Sequence, residues 1–205
     1  MEERELFSEE SCDGDIFKDE FHQDKVFTGI SYESKRIVAK EFYRCRFQSC
    51  KFARSEFVDC QFQDCAFAGC DLSLIKINQS GFMTVCFVDS KLLGINWTNL
   101  RGPPNVSFET CVLSSCVFFG VALTRTSIRD CTVKDADFAE ANLTLTDFQG
   151  CELAGTRFGN TNLSQCDFSG ARNYQIDPRH NKFKKTKFSL PDAVSLLSAF
   201  DIVLK

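Results

Sequence analysis

The stretch EFYRCRFQSCKFARSEFVDCQFQDCAFAGCDL, Glu41–Leu72, carries a large apolar residue at every fifth position: Phe42, Phe47, Phe52, Phe57, Phe62, Phe67 and Leu72. Neither an α-helix (period 3.6) nor a flat strand (period 2) repeats at five. Outward from this stretch the step holds, back to Phe27 and forward through Ile77, Phe82, Phe87, Leu92 and Trp97. It resumes, shifted by one residue, at Phe108 and runs through Leu113, Phe118, Leu123, Ile128, Val133, Phe138, Leu143, Phe148, Leu153, Phe158 and Leu163 to Phe168. The ladder explains an excess of 22 Phe over 3 Tyr and 1 Trp: nine Phe stand on it in the first register and six in the second.

Hydrophobic residues make up 43% of the 205, enough for a packed core. The opening MEERELFSEES has no apolar segment and reads as no signal peptide. No run approaches eighteen apolar residues, so no membrane span is expected. Net charge is −4, unevenly spread. Residues 1–40 carry 6 basic and 11 acidic side chains, 41–97 carry 6 and 6, 106–170 carry 4 and 8, and 171–205 carry 7 and 3. No basic nucleic-acid face is evident on the repeat, although the tail is locally basic.

Ten of the 12 Cys lie two residues before a ladder residue: Cys45, Cys50, Cys60, Cys65, Cys70, Cys111, Cys116, Cys131, Cys151 and Cys166. Ser55, Ser80, Ser90, Thr126, Ala136, Ala141, Thr146, Thr156 and Thr161 share that slot, which reads as a buried site for a small side chain. A zinc site would need a tighter pair, and the four-residue spacing here merely repeats the ladder. Disulfides are not expected without export. Cys12 and Cys86 fall outside the slot and are the better candidates for reactive thiols. Three sequons, at Asn96, Asn142 and Asn162, arise because Asn precedes a ladder residue and Ser or Thr follows it.

The unit is small, Asp/Asn, Leu/Phe, polar, polar, as in Cys70-Asp71-Leu72-Ser73-Leu74, Ala141-Asn142-Leu143-Thr144-Leu145 and Cys166-Asp167-Phe168-Ser169-Gly170. Two inward side chains per five residues require a corner in every unit, and coils closed by corners stack as a solenoid. Over residues 17–170 the sequence resembles the pentapeptide-repeat proteins. The resemblance implies an all-β fold, a right-handed quadrilateral parallel β-helix with four units per coil. The 28 ladder positions from 27 to 168 then make seven coils, a rod roughly 34 Å long. Residues 1–16 are expected to fray as an N-terminal tail.

The register breaks at 98–107, where Pro103-Pro104 supply no backbone donors and ladder pairing must lapse. A one-residue bulge accounts for this. The alternative is a projecting loop, with Arg101, Pro103 and Pro104 as candidates. The segment 171–205 reads as a polar connector, then a C-terminal α-helix capped by Ser189 with Pro191 in its first turn, then a short strand at Ile202-Val203-Leu204. The helix caps the open end of the solenoid. It also resembles the dimerising segments of the quinolone-resistance and microcin-immunity types. That resemblance makes Val194, Leu197, Phe200, Ile202 and Leu204 the candidate homodimer interface.

Two histidines, His22 and His180, sit beside no nucleophile at a motif spacing, and no phosphate-binding or hydrolase motif occurs. No catalytic residue, cofactor or metal is therefore expected. By resemblance the function is that of a bacterial cytoplasmic rod mimicking DNA. It would bind DNA gyrase or topoisomerase IV without touching nucleic acid or membrane itself. Its candidate acidic face is Glu109, Asp130, Asp135, Asp137, Glu140, Asp147, Glu152 and Asp167. A protein-interaction scaffold with another partner, or a bacterial effector, remains the alternative.

Overall fold

The corner of each unit is made by the second residue after the ladder position, which takes a left-handed backbone conformation. Arg44 (φ 51°), Ser49 (53°), Asp64 (53°) and Asp130 (51°) are examples. An L-residue there carries a steric cost of about 1–2 kcal/mol. Hydrogen bonds to the next coil offset it. Arg44 N–H donates to the Gln63 carbonyl (2.9 Å), Ser49 to Ala68 (2.8 Å) and Asp64 to Met83 (2.9 Å). Four such corners close a coil, and each residue lies beneath the one twenty further on.

The computed structural model describes residues 8–10, 17–200 and 202. The result is a four-sided parallel β-helix, with sides designated A to D. Side A stacks Phe27, Phe47, Phe67, Phe87, Phe108, Ile128, Phe148, Phe168 and Phe188. Side B stacks His22, Phe42, Phe62 and Phe82, and after the break Leu123, Leu143, Leu163 and Phe183. Side C stacks Ile37, Phe57, Ile77, Trp97, Phe118, Phe138 and Phe158, and side D Phe52, Leu72, Leu92, Leu113, Val133 and Leu153. These ladder residues are buried up to Phe168, Phe183 and Phe188 are half-buried against them, and stacked rings lie face to face, as in Phe47–Phe67 at 4.4 Å and Phe118–Phe138 at 4.8 Å. Burying one such side chain contributes about 1.5–3 kcal/mol.

The slot residue does more than fit. Its side chain donates to the ladder carbonyl of the preceding coil: Cys50 to Phe27 (3.2 Å), Cys70 to Phe47 (3.3 Å), Thr146 to Leu123 (2.7 Å). Burial pushes the Cys116 and Cys166 thiols up to about 12, keeping S–H available as a donor. The slot is also not restricted to small residues, since Ile75, Val85, Ile95 and Val106 occupy it, all buried. The eleven described cysteines are free thiols. Cys86 is half-buried with its thiol pushed up by burial, so it is not activated, and Cys12 lies outside the described residues.

Three further expectations change. First, nine rungs on side A make eight steps, not seven coils, because the ladder outlives its pattern. Asp167 pairs with Lys187, Phe168 stacks on Phe188 at 5.2 Å, and Thr186 donates to the Leu163 carbonyl (2.7 Å). Tyr174 and Ile176, in the segment read as a polar connector, are buried. Second, the C-terminal helix, Asp192–Phe200, is a 3-10 helix and not an α-helix. The Ser189 hydroxyl does not cap it but accepts the Gly170 N–H (3.1 Å). Third, the N-terminal segment is not wholly frayed: Ser8–Glu10 pairs in parallel with Lys25–Thr28.

Candidate interaction surfaces

The eight candidate acids do not share one face. Rung register places Glu109, Asp130, Asp147 and Asp167 on side A or its corner, Asp135 and Glu152 on side D, and Asp137 and Glu140 on side C. Side B carries none of the eight. Four of them brace the backbone, each carboxylate accepting the N–H two residues on. Asp137 takes Ala139 (3.0 Å), Asp147 takes Gln149 (2.9 Å), Glu152 takes Ala154 (3.2 Å) and Asp167 takes Ser169 (3.0 Å). This is why Asp or Asn so often precedes the ladder residue. Asp130 and Asp135 lie across Gly150 and Gly155, whose φ values are +70° and +71°. A Cβ at either glycine would collide with the carboxylate of its neighbour.

Several carboxylates are neutralised. Asp147 pairs with Arg129 (2.5 Å), Asp167 with Lys187 (2.8 Å) and Asp137 with Arg157 (3.5 Å). Burial alone would raise the Asp167 carboxyl, but Lys187 and the Ser169 hydrogen bonds outweigh it and hold it well below the usual range. Side A nevertheless carries one carboxylate on each of five successive rungs: Asp89, Glu109, Asp130, Asp147 and Asp167. Sequence reasoning missed Asp89, which lies before the register break. Only stacking by twenty, corrected for that break, puts it on the same side as the others, with Asp89 and Asp130 at the corner, Glu109 just after the ladder residue, and Asp147 and Asp167 just before it.

The break is short: Leu100 still bridges Ser80, and Asn105 already pairs with Met83. Met83 pairs with Asn105 and Val85 with Val106, leaving Thr84 as a bulge that takes up part of the insertion. Pro104 is buried, Pro103 exposed, and Arg101 reaches back along the rod to Asp59 (3.0 Å). Trp97, Leu100, Pro103, Pro104 and Phe119 line a groove of 310 Å³ beside it, and Phe119 is 45% exposed.

At the far end the 3-10 helix exposes Val194, Leu197, Phe200 and the following Ile202, while Leu196 packs on the core. Leu204 lies outside the described residues. A cavity of 570 Å³ separates the helix from the last coil, lined by Gly155, Tyr174, Pro191, Asp192 and Ser195 among others. Among the described residues no group of three His, Cys, Asp or Glu is placed to hold a metal ion, and no helix is long and apolar enough to cross a membrane.

Two family models match the chain, a pentapeptide repeat region at residues 40–101 and pentapeptide repeats at 134–170. A comparison with curated proteins returned no match. Among solved structures, a trypsin-treated form of QnrB1, a plasmid-mediated fluoroquinolone resistance protein, superposes with a TM-score of 0.62 at 18% identity. The match covers 90% of this chain and 100% of that one. Full-length QnrB1 gives 0.56 at 19% identity, covering 89% and 100%. At that identity the likeness establishes the fold.

Proposed function

The chain is a pentapeptide-repeat protein, and from that premise we propose that it is a binding rod whose side A docks a type II topoisomerase. The observation that carries this reading is a carboxylate on each of five successive rungs of side A, Asp89 to Asp167. Negative charge spread along one side of a rigid support complements a groove that binds duplex DNA, and it accelerates encounter with one. The shared fold with a fluoroquinolone resistance protein supports gyrase as the partner and protection from quinolones as the outcome. The rod acts in the bacterial cytoplasm, as a homodimer joined through Val194, Leu197, Phe200 and Ile202, whose exposed side chains a second copy would cover. Light scattering giving a monomer mass would remove the dimer.

The test is gyrase supercoiling with and without a quinolone. The protein is expected to restore supercoiling, and Asp89→Asn/Glu109→Gln/Asp130→Asn is expected to lose that effect. No binding and no protection by the unmodified protein would reject the reading. One observation favours a scaffold with another partner: Arg129 and Lys187 already neutralise two of the five carboxylates, while Phe119 offers an apolar anchor beside the 310 Å³ groove.

A further inference from the structure

Side B of the second array differs from the other three. Its rungs stack Ala122, Asn142, Asn162 and Lys182 before the ladder residue, and Thr124, Thr144, Ser164 and Lys184 after it. Arg125, Leu145, Gln165 and Lys185 form the corner, and no carboxylate stands on any of these four rungs. Lys182, Lys184 and Lys185 share one rung. All three are exposed, and none pairs with a carboxylate among the described residues. The Oδ1 atoms of Asn142 and Asn162 accept the Thr144 and Ser164 N–H groups (both 3.2 Å), so the asparagines offer their amide N–H groups outward. The strip is rich in donors and positively charged, on a chain whose net charge of −4 conceals it.

We infer that this strip is a contact surface for the phosphodiester backbone of nucleic acid, read without regard to sequence. An acidic protein is the other polyanion to weigh. Stable protein interfaces centre on buried aromatic or large apolar anchors. Here Leu145, 38% exposed, is the sole exposed large apolar side chain, with Val121 and Phe183 half-buried against the core. Nucleic-acid interfaces are instead polar, wet and positively charged, which matches Lys, Asn, Thr and Ser on stacked rungs. Lysine supplies point charges for phosphates, and the Oδ1 atoms with which Asn142 and Asn162 would read a base edge are engaged by the Thr144 and Ser164 N–H groups, which leaves Arg125 and Gln165 as the groups suited to bidentate base contact. The sequence reading notes a locally basic tail but expects no nucleic-acid contact, because only the added last coil brings Lys182, Lys184 and Lys185 onto the side of the second array that carries no acids. The inference does not depend on topoisomerase binding, and its test contains no topoisomerase.

The experiment is an anisotropy titration of a short fluorescent duplex against the full chain at 50 and 200 mM monovalent salt. Neutralising three or four phosphates gives a log–log salt slope of about −3, so affinity should fall roughly 60-fold across that range. Lys182→Gln/Lys184→Gln/Lys185→Gln is expected to lose at least 10-fold in affinity at 50 mM. Lys51→Gln/Lys76→Gln/Lys91→Gln, on sides D and C, is expected to keep it. Lys184→Gln alone should reduce the slope by about one, which guards against a folding defect in the triple variant. No binding at 50 mM, or equal loss in both triple variants, overturns the inference. So does displacement of the duplex by polyglutamate at equal charge concentration, which would assign the strip to an acidic protein.

Discussion

The arrays before and after Pro103-Pro104 share one ladder but close their corners differently. In three units before the break the slot N–H is caught from the next coil, by a slot side chain. Cys50 N–H meets Cys70 Sγ (3.4 Å), Cys60 N–H meets Ser80 Oγ (3.0 Å) and Cys70 N–H meets Ser90 Oγ (3.0 Å). After the break it mostly turns back on its own unit. Cys116 N–H donates to Leu113 (3.2 Å), Ala141 to Phe138 (3.1 Å), Thr146 to Leu143 (2.9 Å) and Cys166 to Leu163 (3.1 Å). Each array also holds the other kind, Ser55 and Ile75 in the first and Cys111 and Thr161 in the second. The difference shows in the sides. Three-residue strands such as Glu56–Val58 and Gln61–Gln63 give way to single bridges such as Val117↔Asp137. A corner that satisfies itself places less demand on its slot. This is why alanine is tolerated at 141 and 171, in the second array.

The largest effect should come from breaking the ring stack that the two arrays share. Phe62 lies between Phe42 (4.9 Å) and Phe82 (5.0 Å). A carboxylate in its place would be buried without a partner. Phe62→Asp is expected to abolish cooperative urea unfolding followed by circular dichroism. The loss should reach the second array, because Phe87–Phe108 (5.2 Å) and Trp97–Phe118 (5.6 Å) carry the stacking across the break. A surviving cooperative transition would mean that the arrays fold independently.

That stack was legible in the sequence, since a five-residue period admits few folds and every Phe on the ladder proved to be buried. Two features were not. The last coil was hidden because Asn173 and Pro178 stand at the next two ladder positions, while the buried Tyr174 lies one residue out of step. Only the intervals of twenty from Leu163 to Phe183 and from Phe168 to Phe188 betray it. The acids were grouped by segment, whereas the coil sorts residues by their position within twenty. The one-residue shift at the break obscures that arithmetic for Asp89, while the other eight all follow the break and are dispersed over three sides by the coil itself. The helix type escaped because Ser189 and Pro191 suit either helix start, and the choice was made by Ser189 bonding to Gly170 in the coil beneath.

A smaller effect should separate the two kinds of corner. Ser80→Ala leaves the buried Cys60 N–H without its acceptor, a cost of about 1–3 kcal/mol. Thr146→Ala loses the bond to the Leu123 carbonyl, but the Thr146 N–H keeps its partner Leu143, so about 1 kcal/mol is expected. Urea midpoints measured at constant slope decide the order. Equal losses would show that the two corners are energetically alike.

The smallest effect concerns charge at the ends of the arrays. In the second array Lys187 holds the Asp167 carboxyl low, against the burial that would raise it. In the first, the Arg44 hydrogen bond (2.6 Å) lowers Asp24, whose side chain is 28% exposed against 15% for Asp167. A carboxyl whose folded value is depressed stabilises the fold above its unfolded value of about 3.9. That contribution is lost as pH falls through the folded value. Lys187→Met should therefore lower the urea midpoint at pH 6, by less than Ser80→Ala does. The gap should narrow once the pH drops below about 4. Arg44→Met should show the same sign with a smaller gap, because solvent screens an exposed pair more strongly. A gap for Lys187→Met that persists unchanged into acid would assign the loss to packing of the lysine stem. Asp167 would then be a brace for the Ser169 backbone and not an ionic tie between the last two coils.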